Sequence, residues 1–162
     1  ILIDSIPGSG SVFTLRLPLS AAVQEVLMVS ESGQTLAIPG RYVSEIIEVV
    51  RENIQSVKGQ RAMLLRGSFL PLVRLGRLLG FACDDDGENM VAVVVSNGKQ
   101  SLGILVHRVM ARQELYTKDI QAALASLPGV GGASILGDGR VVIILDGEAL
   151  FTLAERCGSP GL

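Results

Sequence analysis

LLRGSFLPLVRLGRLLG, residues 64–80, decides the fold, because its pattern returns 72 positions later as LGDGRVVIILDGEALF, residues 136–151. In each copy a Gly-containing turn, Arg66-Gly67 and then Asp138-Gly139, leads into an apolar run that passes into a short helical pattern. A second correspondence lies upstream, where VSESGQTLAIPGRYV (29–43) aligns with VSNGKQSLGILVHRV (95–109) at an offset of 66. Six positions are identical: Val29/Val95, Ser30/Ser96, Gln34/Gln100, Leu36/Leu102, Ile38/Ile104 and Val43/Val109. Hairpins with Ser/Gly turns share a common grammar, so either match alone says little. Two matches in the same order predict one domain of two related halves, about 24–80 and 90–153.

Around these repeats the chain alternates short β patterns with turns. Residues 1–19 read as two strands about Pro7-Gly8-Ser9-Gly10, with Phe13, Leu15, Leu17 and Leu19 alternating against Thr14 and Arg16. A lone hairpin is marginal in water and needs a body to pack on. Strands are predicted over 25–30, 34–39, 42–50 and 61–66, with an ambiguous turn or helical turn at 51–57. Pro71 within FLPLV predicts an edge strand or a bulge. Leu72, Leu75, Leu78 and Leu79 fall on one helical face that Gly80 ends.

In the second half, Asn97-Gly98 between 90–96 and 100–107 is the pair that best tolerates two positive φ angles. A strand over 110–116, a helix over 119–127 with Asp119 near its N-cap, strands over 133–136 and 140–145, and a terminal helix over 147–155 complete the reading. Residues 158–162 are a tail. Roughly ten short strands at hairpin spacing, with helices only as connectors, predict an all-β fold of two small barrels, one per repeat.

Bulk properties narrow the function. The chain has 162 residues, 48% of them apolar, enough for a packed core. Its net charge of −2 with interspersed signs offers no field for a polyanion, and six aromatics supply few platforms for stacking bases, which argues against nucleic acid. No apolar run approaches the roughly 18 residues needed to span a bilayer, and no signal-peptide pattern opens the chain. A cytoplasmic protein without membrane insertion is expected. Ile1 opens directly on a strand pattern, as in a segment cut from a longer chain.

Catalytic chemistry is hard to assemble. His107 is the single histidine, so neither a repeated His–Cys dyad nor a multi-histidine metal site is available. Cys83 and Cys157 do not form a CxxC site and read as idle thiols. No GxSxG elbow, Walker sequence or helix-opening GxGxxG occurs. The loop Asp84-Asp85-Asp86-Gly87-Glu88 lacks the alternating ligands of a calcium site and reads as a solvated linker. What remains is apolar surface beyond what two small barrels need, which points to a protein-interaction module.

At this point GSGSVFTLRLPLS (8–20), TLAIP (35–39), VSEI (43–46), the 64–80 stretch, LGILV (102–106) and ASILGDGRVVIILD (133–146) together resemble a known family. They resemble the C-terminal regulatory region of the CheA-type chemotaxis histidine kinases, a CheW-like domain of two SH3-like five-stranded β-barrels. The resemblance covers about residues 20–155, and the LRGxxLPLVxL and ILGDGRVxxILD patterns carry its specificity. It implies that residues 1–19 are the last strands of the kinase's ATP-binding domain and that 20–157 form the CheW-like domain, whose barrels can share strands between halves.

By the same resemblance the domain docks a CheW-type adaptor and the cytoplasmic tips of chemoreceptors, and couples receptor state to autophosphorylation elsewhere in the kinase. It implies no catalytic residue, no cofactor and no metal in this chain, and it removes His107 as a phosphorylation site. Glu45 in VSEI and Arg66 in LLRG match positions where the family carries an acid and a base. They are expected to face each other near the partner surface, with Ile38, Leu70, Val73 and Leu75 as apolar neighbours. His107-Arg108 departs from the acidic residues common there. Two alternatives stay open: a free-standing CheW-like adaptor, against which residues 1–19 argue, and a small-ligand-binding or hydrolytic double barrel.

Overall fold

The structure, a computed structural model, describes residues 2–8, 10–14, 22–57, 59–82, 89–117 and 127–158. The 119–127 helix and the acidic loop lie almost wholly outside these residues, as does the second part of the alternation expected over 13–19. Thirteen strands and two helices are described. The opening hairpin, β1 (Leu2–Ile6) and β2 (Gly10–Thr14), is an antiparallel two-stranded sheet of its own, with Ile3, Ile6, Val12 and Phe13 exposed.

The remaining strands form two larger sheets. The first half contributes β3 (Ala22–Glu31), β4 (Gln34–Pro39), β5 (Val43–Val50), β6 (Ile54–Val57), β7 (Gln60–Leu65) and β8 (Ser68–Arg74), followed by the short helix α1 (Leu75–Leu78). The second half contributes β9 (Asn89–Ser96), β10 (Ser101–Val106), β11 (Arg108–Thr117), β12 (Val130–Ile135), β13 (Val141–Leu145) and α2 (Gly147–Gly158). Sheet one runs β11-β3-β4-β13-β12 and sheet two β5-β9-β10-β8-β7-β6.

This arrangement corrects the assignment of one barrel to each repeat. Each sheet takes strands from both halves, and its ladder is open. The seam in each is a parallel pair: β4 with β13 (Leu36 opposite Ile143, Ala37 opposite Ile144) and β8 with β10 (Leu72 opposite Gly103). Applying the sequence offsets to Ala37 and Ile144 gives Gly103 and Leu72, so the two seams are equivalent and the repeats have exchanged strands.

Burial explains the exchange. Strand β3 over Val26–Val29 and strand β9 over Met90–Val95 are continuously apolar because both their faces are covered. In β3, Leu27 and Val29 enter a central core between the sheets, while Val26 and Met28 enter the interior of sheet one. In β9, Val93 and Val95 join the central core, and Ala92 and Val94 fill sheet two. The two interiors use matching positions: Val49 and Leu115, Leu70 and Val142, Leu72 and Ile144. Leu75 and Leu78 of α1 and Leu150 and Phe151 of α2 close the central core.

Local departures have local causes. Pro71 sits in an interior strand, yet the parallel ladder with β10 starts at Leu72, one residue later, so that pairing asks no donor of the proline. Leu72 belongs to β8, and α1 holds Leu75 and Leu78 on its buried side, ended by Gly80 at φ +75°. The Asn97-Gly98 loop has positive φ at Gly98 only. Asn97 instead turns its Oδ1 inward to accept the amides of Lys99 and Gln100, both at 3.1 Å. Cys157 is exposed on α2.

Candidate functional site

Two local features bring Glu45 and Arg66 together. Ser44 is an extra residue in β5: Val43 pairs with Val95 and Glu45 with Val94, so the bulge reverses the phase of the strand. Val43 therefore packs on the central core, whereas Ile47 and Val49 face the interior of sheet two, and Glu45 lies on their side at its rim. The second feature is the β7–β8 turn. Leu65 pairs with Ser68, leaving Arg66-Gly67 as a two-residue loop with φ +51° and +83°. Both signs suit a tight hairpin, but the first position favours Asn or Gly over Arg. Among the described residues Ser32 is the other non-glycine at positive φ.

Held this way, an Arg66 Nη donates to Glu45 Oε2 at 2.8 Å. The arginine side chain is 77% exposed and the glutamate 27%. Beside the pair lies an open groove of about 440 Å³. Leu65, Leu70 and Val94 line its apolar part, Phe69 stands exposed, and Lys99 and the hydroxyl-bearing Ser68, Ser96 and Ser101 add a polar edge. An acidic or polar group from a partner would meet Arg66 and Lys99 there, and an apolar one would meet Phe69. An exposed arginine kept in a costly backbone conformation is the kind of outlier from which a functional hypothesis is drawn.

None of the apolar neighbours expected from sequence is an exposed residue, although Leu70 lines the floor of the groove. Ile38 and Leu75 are fully buried in the central core, Leu70 lines the interior of sheet two, and Val73 is half-buried against the central core. The reason is strand alternation: Leu70 and Leu72 point inward, so Phe69 and Pro71 point out. The exposed apolar residues of this turn are Leu64 and Phe69, which face each other across β7 and β8. Counting outward from the Arg66-Gly67 turn by twos would have found them. Lys99 carried no such signal, since it reaches the groove through the β9–β10 connection.

The corresponding turn of sheet one is built differently. Ile135 and Val141 form an equivalent exposed cross-strand pair, but Asp138 stands at the position matching Arg66. The Arg140 backbone amide donates to Asp138 Oδ1 at 3.0 Å and its Nε to Oδ2 at 2.7 Å, which together hold the Asp138 carboxyl below the usual carboxylate range.

The profile of the CheW-like domain matches residues 25–155, spanning both sheets and the Glu45–Arg66 turn. The chain belongs to the CheW-like domain family. Chemotaxis protein CheA of Rhizobium meliloti is 37% identical over 158 residues, 96% of this chain, and CheA of Halobacterium salinarum is 32% identical over 146 residues. The CheW-like chain spans only about a fifth of those relatives, 21% and 22% of their lengths. The crystal structure of the scaffolding protein TtCheW from Thermoanaerobacter tengcongensis superposes with a TM-score of 0.66 at 17% identity, over 80% of this chain and 93% of that one. That likeness gives the CheW-like chain its SH3-like fold despite the open ladders. No helix among the described residues is long and apolar enough to cross a membrane.

Proposed function

We propose that this CheW-like domain is the non-catalytic regulatory region of a CheA-type chemotaxis kinase, that it binds a CheW-type adaptor and the cytoplasmic tip of a chemoreceptor, and that it couples receptor state to autophosphorylation in the rest of the kinase. One observation carries the reading. An acid–base pair is displayed on a left-handed turn at the mouth of a mixed groove, within a chain that matches CheA proteins along nearly its whole length. An exposed pair of this kind contributes little to folding, about 0–1 kcal/mol, so its worth lies in fixing partner register.

Glu45 and Arg66 are the polar contacts in this reading, with Phe69 and Leu64 in place of the buried Ile38, Leu70 and Leu75 and the half-buried Val73. We assign residues 1–19 to the end of the kinase's ATP-binding domain. The support is a hairpin that, among the described residues, pairs only with itself and exposes Ile3, Ile6, Val12 and Phe13, as strands belonging to another domain's sheet would. A calorimetric titration with the CheW-type adaptor of the same organism tests the proposal. Saturable binding that Arg66→Glu weakens at least tenfold, with the circular dichroism unchanged, is the expected result. Equal affinity in the variant would remove Arg66 from the interface, and no binding at all would refute the adaptor role.

A further inference from the structure

Glu31 is the one fully buried charged side chain among the described residues. It ends β3 of sheet one, yet its carboxylate reaches the other sheet. Arg74, the last residue of β8 in sheet two, donates from Nε to Oε1 at 2.9 Å. The backbone amide of His107 donates to Oε2 at 2.8 Å and also to the Ser30 carbonyl at 3.1 Å. His107 is the single residue between β10 and β11, where the chain leaves sheet two and enters sheet one. One carboxylate thus ties together both sheets and the strand that passes between them.

The internal repeat shows that the fold itself does not demand this cluster. The positions matching Glu31, Arg74 and His107 hold Asn97, Asp146 and Arg41. Asn97 accepts the amides of its own turn through Oδ1 and reaches α2 only by a long, exposed bond from Nδ2 to Glu148 Oε2 at 3.4 Å, and Asp146 caps α2 by accepting the amides of Glu148 and Ala149 at 2.9 and 3.2 Å. The matching crossing, from β4 to β5, is made by a single 3₁₀ turn over Gly40–Tyr42. A buried ion pair is weak evidence for stability, because desolvating both charges offsets much of their attraction, and its best-attested use is to select one arrangement among several.

We infer that Glu31 is a positioning residue that locks the angle between the two sheets, with Arg74 and the His107 amide as the two points it grips. Strand β8 runs from the Arg66-Gly67 turn to Arg74, seven residues or roughly 20 Å, so the lock and the exposed pair stand at opposite ends of one rigid element. The inference goes beyond the docking role and does not depend on it.

The test uses the whole chain with Cys83 and Cys157 changed to Ser and spin labels on cysteines at Ser56 of sheet two and Glu114 of sheet one, both exposed. Pulsed dipolar spectroscopy should give one narrow distance distribution. Glu31→Gln, which keeps the shape but not the charge, should broaden it at least twofold and speed exchange of the His107 amide at least tenfold, with far-UV circular dichroism unchanged. Arg74→Lys with Glu31 retained, which keeps the charge, should broaden it less than Glu31→Gln does. A broad distribution in the parent, or one unaltered by Glu31→Gln, would overturn the inference whatever happens to the melting temperature. Should Glu31→Gln fail to fold, the neutral pair Glu31→Gln with Arg74→Gln takes its place, judged by the same distances.

Discussion

Two of the arginine–glutamate pairs among the described residues are of nearly equal length but lie in different surroundings, and this sets up a sharp comparison of Glu31→Ala with Glu45→Ala. The Glu31–Arg74 pair spans 2.9 Å with side chains 1% and 17% exposed, and the Glu45–Arg66 pair spans 2.8 Å with 27% and 77% exposed. At a separation of about 4 Å, two unit charges attract by roughly 1 kcal/mol in water and about 4 kcal/mol near a protein surface of effective dielectric 20. Glu31→Ala breaks this buried pair from the carboxylate side and should cost about 3–5 kcal/mol. The amide of His107 loses an acceptor as well, although Ser30 still receives it. Glu45→Ala should cost about 0–1 kcal/mol, since water solvates Arg66 at once. For a domain of this size these values correspond to drops in melting temperature of roughly 6–20 °C and no more than about 4 °C. Urea unfolding followed by far-UV circular dichroism, with equal slopes required of all variants, reads both. Equal costs, or a larger one for Glu45→Ala, would refute the burial argument.

Other consequences are open to similar checks. A Cβ on Gly147 would fall within the ring of Tyr42, so Gly147→Ala should lower stability by about 1–3 kcal/mol in a thermal melt despite alanine's better helix propensity. Asp146→Ala removes the cap of α2 and should cost about 1 kcal/mol, with faster amide exchange confined to Glu148 and Ala149. Arg66→Asn suits the left-handed turn and should hold or slightly raise the urea midpoint while weakening adaptor binding, separating the turn's role in folding from its role in docking. Asp138 has a folded-state pKa below its unfolded value, so its contribution is present above the unfolded pKa and lost as pH falls through the folded one. Carboxyl NMR titration should therefore show no change at Asp138 between neutral pH and pH 5, and Arg140→Ala should move its midpoint upward toward the ordinary carboxylate value.

How much of this was readable in the chain depends on the range of the interaction concerned. Most strand positions followed from local alternation and turn chemistry, although Ile54–Val57 was left ambiguous, and the offsets of the two sequence matches relate the residues that meet at the seams without having announced that the seams exist. The exchange of strands between halves was not readable from periodicity, because a hairpin such as 22–39 has the same pattern whether it pairs with β13 or with β8. The continuous apolar runs of β3 and β9 did hold a clue, since a strand covered on both faces needs two neighbouring layers. At the site, the acid and base were found through the family pattern, whereas the apolar partners were chosen on residue type alone. The alternation on either side of Pro71 would have exchanged Leu70 for Phe69. The bulge at Ser44 that turns Glu45 toward Arg66 left no trace in composition, and Glu31 looked like an ordinary turn residue beside Ser32-Gly33.

The central claim, that the face around Arg66 and Phe69 receives the adaptor, is tested most directly by amide hydrogen exchange of the chain with and without a saturating CheW-type adaptor. The account predicts slowed exchange concentrated in residues 43–47, 64–70 and 96–101, which border the groove, and lost in Arg66→Glu. Protection confined to the Asp138–Arg140 turn, with those three segments unchanged, would contradict it.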